Sequence, residues 1–510
     1  MNGEFFEEAA RDSDCGLDII DITVPDWKDS LLARLHPPLA DTGRGPLDNI
    51  LTLVRNELGG QCVVVEPYIS TDWNSEYSAV YSRLFRPVPC QAQRLHFFAN
   101  RLNYADIFDL PEHHRRSYLG YTVLRPLDAF RVGDTILASP WCVPLTCQDL
   151  VHCLEEFTVY LLGNRLTITG MPYLQQDRTV GACAQADLWM IARYYNAKRE
   201  MGRLRPPEIH ELATRSVMAP PQEGLTFLQM RNALNGFGFN PHLFGTVRDW
   251  KITRDFLYSC VESELPIIAG LNLPDDEGHV VVIIGHDYDP NVTSLSQSLS
   301  EAVSNFVIHD DASGPYKKAA VSCVSYKDKD VLTLDDHRVE WLIAPLPPRV
   351  HMGWDDVKFL RDFWLREATG YAAQVFGKAE ATLWGDQDLS QIVSRIYLRR
   401  SSEFKQDLLR AKDHRDDKII AKYKCMQMPK YVWVVELAKA PEVQNIPLHE
   451  RRIRGEILID STAHRDVPVK ALLAFHFNGT MFIPSMKPGE DVLLPTTGKP
   501  FSPLLRTAGA

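Results

Sequence analysis

One cysteine, one histidine and a pair of aspartates follow each other through the middle of the chain, and together they offer nucleophilic chemistry. Cys183 directly precedes a stretch whose apolar residues recur at helical spacing, from Leu188 to Tyr195. A cysteine in the first turn of a helix meets free backbone N–H groups and the positive end of the helix dipole, which favour the thiolate. Because the thiolate is the reactive form, the pattern predicts Cys183 as a nucleophile.

The partners of such a nucleophile are found at the ends of two predicted strands. His279 opens the apolar strand that runs to Gly285, after a polar turn. A second strand ends in Asp310-Asp311, where a carboxylate can accept from the imidazole and fix its tautomer. We assign this role to Asp311, with Asp310 as its competitor.

Upstream of the cysteine, Gln175 and Gln176 offer side-chain amides that can donate to a developing oxyanion.

Each of these candidate catalytic residues also has a purely structural explanation. A lone cysteine at a helix start is often a small core residue, and paired aspartates commonly form turns. The ordered set of Gln, Cys on a helix, His on a strand and Asp at the next strand end favours the catalytic interpretation.

This order and its local contexts resemble the papain-like cysteine peptidases, and in particular the bacteriocin-processing, double-glycine leader peptidase family and its stand-alone bacterial relatives. The resemblance covers about residues 170–320. It implies Cys183 as nucleophile, His279 as general base and acid, and Asp311 as the orienting group. It also implies Gln176 as the oxyanion glutamine, with Gln175 in reserve, and a reaction that needs no cofactor.

The sequence departs from the family pattern at several positions. Ala184-Gln185 follows the cysteine where the family has Gly-Pro, and the interval from Gln176 to Cys183 is one residue longer than usual. Ala312 follows Asp311 where the family has proline. No transporter membrane domain follows the core, so the family's export function is not implied.

The composition is that of an ordinary soluble protein, with 45% hydrophobic and 24% charged residues among 510. A net charge of −11 gives no support to a nucleic-acid or anionic-membrane partner. The first residues are acidic and lack the apolar stretch of a signal peptide. Ten dispersed cysteines are typical of free thiols in a reducing compartment. We therefore expect a cytoplasmic, bacterial protein.

The predicted fold class is α+β, in three regions. Residues 1–165 form an N-terminal mixed α/β domain of unknown role, and residues 166–345 form the papain-like core, with its helix first and its strands later. A Pro-rich linker at 344–348 leads to residues 346–510, a C-terminal helical and β region with a helix predicted at 389–411. That region is either separate or packed on the core.

Metal chemistry has weak support in the sequence. Cys142 and Cys147, followed by His152 and Cys153, match no strong zinc template. The stretch that opens at Asp287 resembles the start of a calcium loop but lacks its glycine and its closing glutamate. We therefore expect no metal and no cofactor.

The sequence thus predicts an intracellular cysteine peptidase that hydrolyses a peptide or protein substrate through a thioester acyl-enzyme. Two alternatives stay open: an acyltransferase or transamidase with the same residues, and a degenerate papain-like module that binds or senses. The flanking regions would then supply substrate recognition or regulation, including a possible regulatory protein partner.

Overall fold

The computed structural model describes most of the chain. Its helices and strands are numbered below in chain order, and they form three antiparallel sheets and one hairpin within the described residues. The described residues are 16–37, 45–129, 131–141, 149–176, 183–199, 201–215, 225–245, 249–272, 278–289, 291–321, 332, 334, 338–376, 392–410, 415–447, 450–485, 491–496 and 498–504.

The first part of the chain folds around an antiparallel sheet, and we call it the N-terminal unit. Its strands are rich in β-branched and aromatic residues, as in Cys62–Tyr68, which favours extended backbone. The elements are β1 (Asp18–Asp21), α1 (Trp27–Leu32), α2 (Pro46–Thr52), β2 (Cys62–Tyr68), α3 (Thr71–Ala79), β3 (Ala92–Phe98), α4 (Tyr104–Phe108), α5 (Glu112–Arg115), β4 (Tyr118–Leu124), β5 (Val132–Leu137), β6 (Asp149–Val151), β7 (Glu155–Leu161) and β8 (Asn164–Gly170). The sheet order is β1-β2-β3-β4-β5, and the β7–β8 hairpin packs on β4 and β5.

The middle of the chain forms the core sheet and the helices around it. Its elements are α6 (Cys183–Arg199), α7 (Pro206–Thr214), α8 (Phe227–Gly236), β9 (Asn240–Phe244), α9 (Trp250–Glu262), β10 (Ile267–Asn272), β11 (Gly278–Tyr288), β12 (Val303–Asp310), β13 (Gly314–Ala320) and β14 (Val339–Leu346). The described strands lie in the order β13-β12-β11-β10-β14-β9, and β6 pairs with β11. Helix α6 packs against β11. The α+β class predicted from the sequence agrees with these antiparallel sheets and segregated helices.

The last part of the chain forms a third sheet with the order β15-β16-β17-β18-β19-β20. Its elements are α10 (Trp354–Phe376), β15 (Ile392–Arg400), α11 (Ser401–Arg410), α12 (Asp417–Cys425), β16 (Tyr431–Lys439), β17 (Gly455–Asp460), α13 (Pro468–Ala471), β18 (Leu472–Phe477), β19 (Thr480–Ile483) and β20 (Val492–Pro495). None of the helices in the described parts of the chain is long and apolar enough to cross a membrane.

Two predictions for this region are wrong. Within the helix predicted at 389–411, residues 392–400 form strand β15, which pairs residue by residue with β16, and only Ser401–Arg410 is helical; residues 389–391 and 411 lie outside the described residues. Tertiary pairing has overridden an apolar spacing that also fits a helix. The linker predicted at 344–348 largely belongs to β14, which pairs with β9 as far as Leu346.

The three regions share one continuous apolar core, whose buried residues run from Ile20 to Phe501. The C-terminal region is therefore packed on the core.

A chain of buried polar side chains crosses the junction between the core and the C-terminal region. Arg395 on β15 contacts Glu262 through Nη1 at 2.9 Å and Glu436 through Nε at 2.8 Å. Burial alone would raise the pKa of Glu262, but His152, Arg395 and His286 hold it well below its ordinary value.

We expect Arg395→Gln to lower the free energy of unfolding by about 3–5 kcal/mol, because it leaves two buried carboxylates without their shared counter-charge. Urea unfolding measures the change. The matched control is Arg116→Gln, whose partner Glu112 is also exposed, at 78% and 66% for the two side chains, and which we expect to change little. Similar effects of the two substitutions would contradict a structural role for the buried chain.

Candidate functional site

Helix α6 begins at Cys183, and its first turns lie near the acidic end of the core sheet. Asp187, one turn after Cys183, is fully buried. Burial raises the pKa of Tyr173 well above its usual range, and the carboxylates of Asp311, Asp310 and Asp187 add to the rise. All three acids therefore lie close to one phenol. The side chain of Cys183 and residues 177–182 lie outside the described part of the structure.

The other end of α6 lies along the far half of β11. Burial raises the pKa of Tyr195, and Cys153 raises it further, so Cys153 lies near the Tyr195 hydroxyl. The backbone N–H of Cys153 in turn donates to the carbonyl of Ile284 on β11 at 3.2 Å, so the end of α6 that carries Tyr195 lies near Ile284. The helix and β11 therefore run in the same direction. Cys183, the first residue of the helix, and His279, the second residue of the strand, therefore lie at the same end of the core.

His279 is the second residue of β11, and its side chain is 12% exposed. Its Nε2 lies 2.9 Å from Oδ1 of Asp310, a hydrogen bond. The corresponding distance to Oδ1 of Asp311 is 3.9 Å, beyond hydrogen-bond reach. The structure thus brings both predicted acids to the predicted histidine, but Asp310 rather than Asp311 makes the bond.

Asp310 is held as a carboxylate by the turn that follows it, residues 310–314, which we call the acid turn. The backbone N–H of Ala312 donates to Oδ1 at 2.9 Å, and Oγ of Ser313 donates to Oδ2 at 2.6 Å. Burial works against ionisation of Asp310, but these bonds and the contact with His279 hold its pKa below the ordinary value. Asp310 is therefore an ionised acceptor for the imidazole at neutral pH.

Asp311 has the opposite environment. Its side chain is fully buried, and neither carboxyl oxygen has a hydrogen-bond partner among the described residues. Burial raises its pKa to about 7, against the opposing influence of His279, and the adjacent Asp310 contributes to the rise. Asp311 therefore holds a proton that is in exchange near neutral pH.

The choice of Asp311 as orienting group does not match this geometry, and an irregular strand explains why. The pairing of β12 with β13 shifts register between Ile308 and Asp310. Such an irregularity breaks the simple alternation of side chains along a strand. The sequence pattern therefore carries no information on which of two successive aspartates turns towards His279.

The two glutamines also differ. Gln175 is buried, and its Oε1 accepts from the backbone N–H of Val132 at 3.0 Å, so its amide is tied to the N-terminal unit. Gln176 is half-buried and is the last described residue before position 183. This difference favours Gln176 over Gln175 for a role in the site.

Tyr173 and Asp187 belong to this site, and sequence reasoning missed both. Asp187 had a usable signal, since it is the one acidic residue of the sequence from Cys183 to Tyr195 and follows Cys183 by one helical turn. Tyr173 had none, because its place depends on pairing with β5 far away in the sequence.

Two groups of described residues have ligand atoms close enough to hold a metal ion. In the group of His279, Asp310 and Asp311, the closest pair is already joined by the 2.9 Å hydrogen bond. The other group joins His152 and His286 to Glu262. There Glu262 accepts from His286 at 3.0 Å and also pairs with Arg395, with which a cation would compete.

The zinc pattern weighed in the sequence falls partly outside the described residues. Cys142 and Cys147 lie there, and Cys153 is buried. Asp287, at the start of the stretch that resembles a calcium loop, is buried and accepts from Ser304 and Asn305 within the sheet. Its oxygens are therefore engaged in structural hydrogen bonds.

We expect Asp310→Asn to lower the pKa of His279 more than Asp311→Asn does, because only Asp310 is an ionised hydrogen-bond partner of the imidazole. NMR titration of protein labelled on histidine measures both changes. The unsubstituted protein, titrated in parallel, is the reference. A larger drop in Asp311→Asn would restore Asp311 as the orienting group.

Asp311 also predicts a pH-dependent stability. Its folded-state pKa, about 7, lies above the ordinary 3.8. Its contribution is therefore fully present below pH 3.8 and is lost as the pH rises through about 7. Relative to Asp311→Asn, the wild type should lose up to about 4 kcal/mol of unfolding free energy across this range. Urea unfolding between about pH 4 and pH 8 tests this; parallel curves for the two proteins would contradict it.

The chain matches no protein-family model, and no curated protein sequence matches it. Two features of the molecule therefore support a catalytic role for these residues. One is the sequence pattern that resembles papain-like peptidases. The other is the geometry of α6, β11 and the acid turn.

Proposed function

We propose that the protein is a cysteine peptidase that hydrolyses a peptide or protein substrate, with Cys183 as nucleophile and His279 as its base. One observation carries the proposal. The helix that starts at Cys183 and strand β11, whose second residue is His279, run in the same direction from the same end of the core, and His279 is hydrogen-bonded there to the ionised Asp310.

The position of Cys183 supports an activated thiol. Free backbone N–H groups and the helix dipole at the start of α6 stabilise a negative charge. A protonated imidazole beside it would stabilise the thiolate further. Since Nε2 of His279 faces Asp310, the proposal assigns proton exchange with Cys183 to Nδ1.

The reaction then proceeds in two halves. The thiolate attacks the scissile carbonyl carbon, and the tetrahedral intermediate collapses as His279 gives its proton to the leaving amine. This leaves a thioester on Cys183. His279 next takes a proton from water, whose oxygen attacks the thioester carbonyl and releases the acid and the thiolate.

Two groups are proposed to stabilise the oxyanion, namely the side-chain amide of Gln176 and the backbone N–H of Cys183. Both types of donor act by being fixed in place before charge develops. Asp310 takes the orienting role in this proposal, because it accepts from Nε2 and would stabilise the imidazolium that forms. Asp311 stands beside this pair as a second, mostly neutral acid at mildly acidic pH.

The cellular setting is part of the same proposal. The charge of −11 and the dispersed cysteines lead us to place the enzyme in the bacterial cytoplasm, acting without a nucleic-acid or membrane partner. A peptidase in that compartment needs control over its substrates. A regulatory protein partner that acts through the flanking regions would supply that control.

The first test is the pH dependence of iodoacetamide alkylation, read by peptide mass spectrometry. An ion-paired Cys183 should react at about pH 5.5 almost as fast as at about pH 8, because the thiolate persists. Cys90 and Cys425 are exposed free cysteines and serve as references. An ordinary thiol reacts roughly tenfold more slowly for each pH unit below about pH 8, because its thiolate fraction falls.

His279→Ala should make the Cys183 profile resemble that of the two references. If Cys183 follows the references in the wild type as well, the activated thiol is absent, and the chain is a papain-like scaffold that binds or senses.

The second test is turnover. Cys183→Ala should lose cleavage of a proteome-derived peptide library by at least about 10³-fold while keeping its unfolding free energy, since the nucleophile is gone and the change is small. Cys425→Ala is the matched control and should retain activity. New N-termini in the products show hydrolysis. Products that carry an added amine would instead identify a transamidase, and unchanged cleavage by Cys183→Ala would refute the nucleophile.

A further inference from the structure

Helix α2 of the N-terminal unit lies directly against the acid turn. Nδ2 of Asn49 donates to the backbone carbonyl of Ser313 at 2.5 Å, across 264 positions of sequence. Gly314 closes the turn with a φ of +125°, and a Cβ built there would lie 3.3 Å from Cβ of Asn49. The left-handed backbone favours glycine at this position, and the approach of α2 leaves little room for a Cβ.

The segment that leads to Gln176 is also fixed by the N-terminal unit. Tyr173 exchanges two backbone hydrogen bonds with Thr135 of β5, at 3.0 and 2.9 Å. Two residues on, the backbone N–H of Gln175 donates to the carbonyl of Val132 at 3.1 Å. Residues 173–175 therefore extend the N-terminal sheet, and Gln176 follows immediately.

Tyr173 joins these two contacts. Its hydroxyl donates to the backbone carbonyl of Asp311 at 3.1 Å, and its ring packs edge-on against His309, the residue before the acid turn. The Nδ1 of His309 lies 3.2 Å from the carbonyl of Pro172. The acid turn is therefore held by hydrogen bonds from α2 on one side and contacted by the segment at 172–175 on another.

We propose that the N-terminal unit forms one wall of the candidate site, and that Asn49 is a positioning residue that sets the place of Asp310 and, through it, of His279. The chain of contacts is short. Asn49 holds the carbonyl of Ser313, the hydroxyl of Ser313 donates to Asp310, and Asp310 accepts from His279. The role in catalysis rests on the proposed function, while the effect on the imidazole does not.

The physical basis is the directionality of hydrogen bonds. Ser313 binds Asn49 through its main chain and Asp310 through its side chain, so a change in the turn alters both contacts. Without the Asn49 donor, the Ser313 carbonyl must find water, and the turn relaxes away from the geometry that α2 imposes. Asp310 would then hold the imidazole less firmly and stabilise its charged form less.

Two substitutions test the proposal in the full chain. Asn49→Ala removes the side-chain amide, and Asn49→Asp keeps the size but replaces the N–H donor by an acceptor that repels the Ser313 carbonyl. The matched control is Asn56→Ala, an exposed asparagine in the turn that follows α2. The readouts are the pKa of His279 by NMR and the pH profile of Cys183 alkylation, with urea unfolding measured in parallel.

Both Asn49 variants should lower the pKa of His279, in the direction of Asp310→Asn but by less. Cys183 alkylation at about pH 5.5 should slow about fivefold in Asn49→Ala, the size that one lost hydrogen bond allows. In the Asp310→Asn background, Asn49→Ala should cause no further change in the pKa of His279. The carboxylate through which Asn49 acts is already absent there.

The outcomes separate the two proposals. A shifted His279 pKa with an unreactive Cys183 would retain the positioning role and overturn the peptidase. A reactive, His279-dependent Cys183 with both Asn49 variants matching Asn56→Ala in the His279 pKa would retain the peptidase and overturn the positioning role. A loss of stability alone, with the pH profile unmoved, would also overturn it, since it would show Asn49 as a packing residue only.

Discussion

Strand β11 is the element on which both the fold and the candidate site depend, because its backbone is paired on both edges. Strand β10 pairs with residues 278–283, β6 continues that edge along residues 285–287, and β12 pairs with the other edge from Val282 to Tyr288. A strand held in this way cannot slip by one residue without breaking two ladders and reversing its faces. The direction of His279 is therefore fixed by backbone pairing, and the Val282–His309 pair fixes the distance from β11 to the acid turn.

Two of the buried acids among the described residues, Glu262 and Asp311, have opposite environments, and the contrast separates a structural role from a place in the candidate site. Glu262 is surrounded by Arg395, His286 and Tyr288, so its charge is compensated and serves to join the core to the C-terminal sheet. Asp311 is just as buried but has no hydrogen-bond partner for its carboxyl group among the described residues. A buried carboxyl without a hydrogen-bond partner reduces stability where it must ionise. Such local costs are typical of functional sites, where the placement of groups is constrained by chemistry rather than by folding.

The sequence was informative where a signal is local, and it failed where placement depends on distant pairing. The helix that starts at Cys183 and the strand that carries His279 near its start follow from apolar spacing alone. The choice between Asp310 and Asp311 depends on a register shift with β13, which leaves no trace in the local pattern. The strand β15 has an apolar spacing that is also compatible with a helix, and only its pairing with β16 decides between the two. The role of Asn49 was equally hidden, because it lies 264 positions from its partner.

The division of the chain into an N-terminal domain and a core, natural in the sequence, is not how the molecule is built around the site. Strand β6 precedes the predicted boundary at 165 yet pairs with β11, whereas residues 173–175 follow it yet extend the N-terminal sheet. Each region thus contributes a segment to the sheet of the other. The candidate site lies where the two regions meet, and binding sites are commonly found at such junctions. Since α2 contacts the acid turn directly, any displacement of the N-terminal unit must move Ser313, and with it the partner of His279. Control of the site by the N-terminal unit then needs no long pathway through the core, because the two lie one hydrogen bond apart.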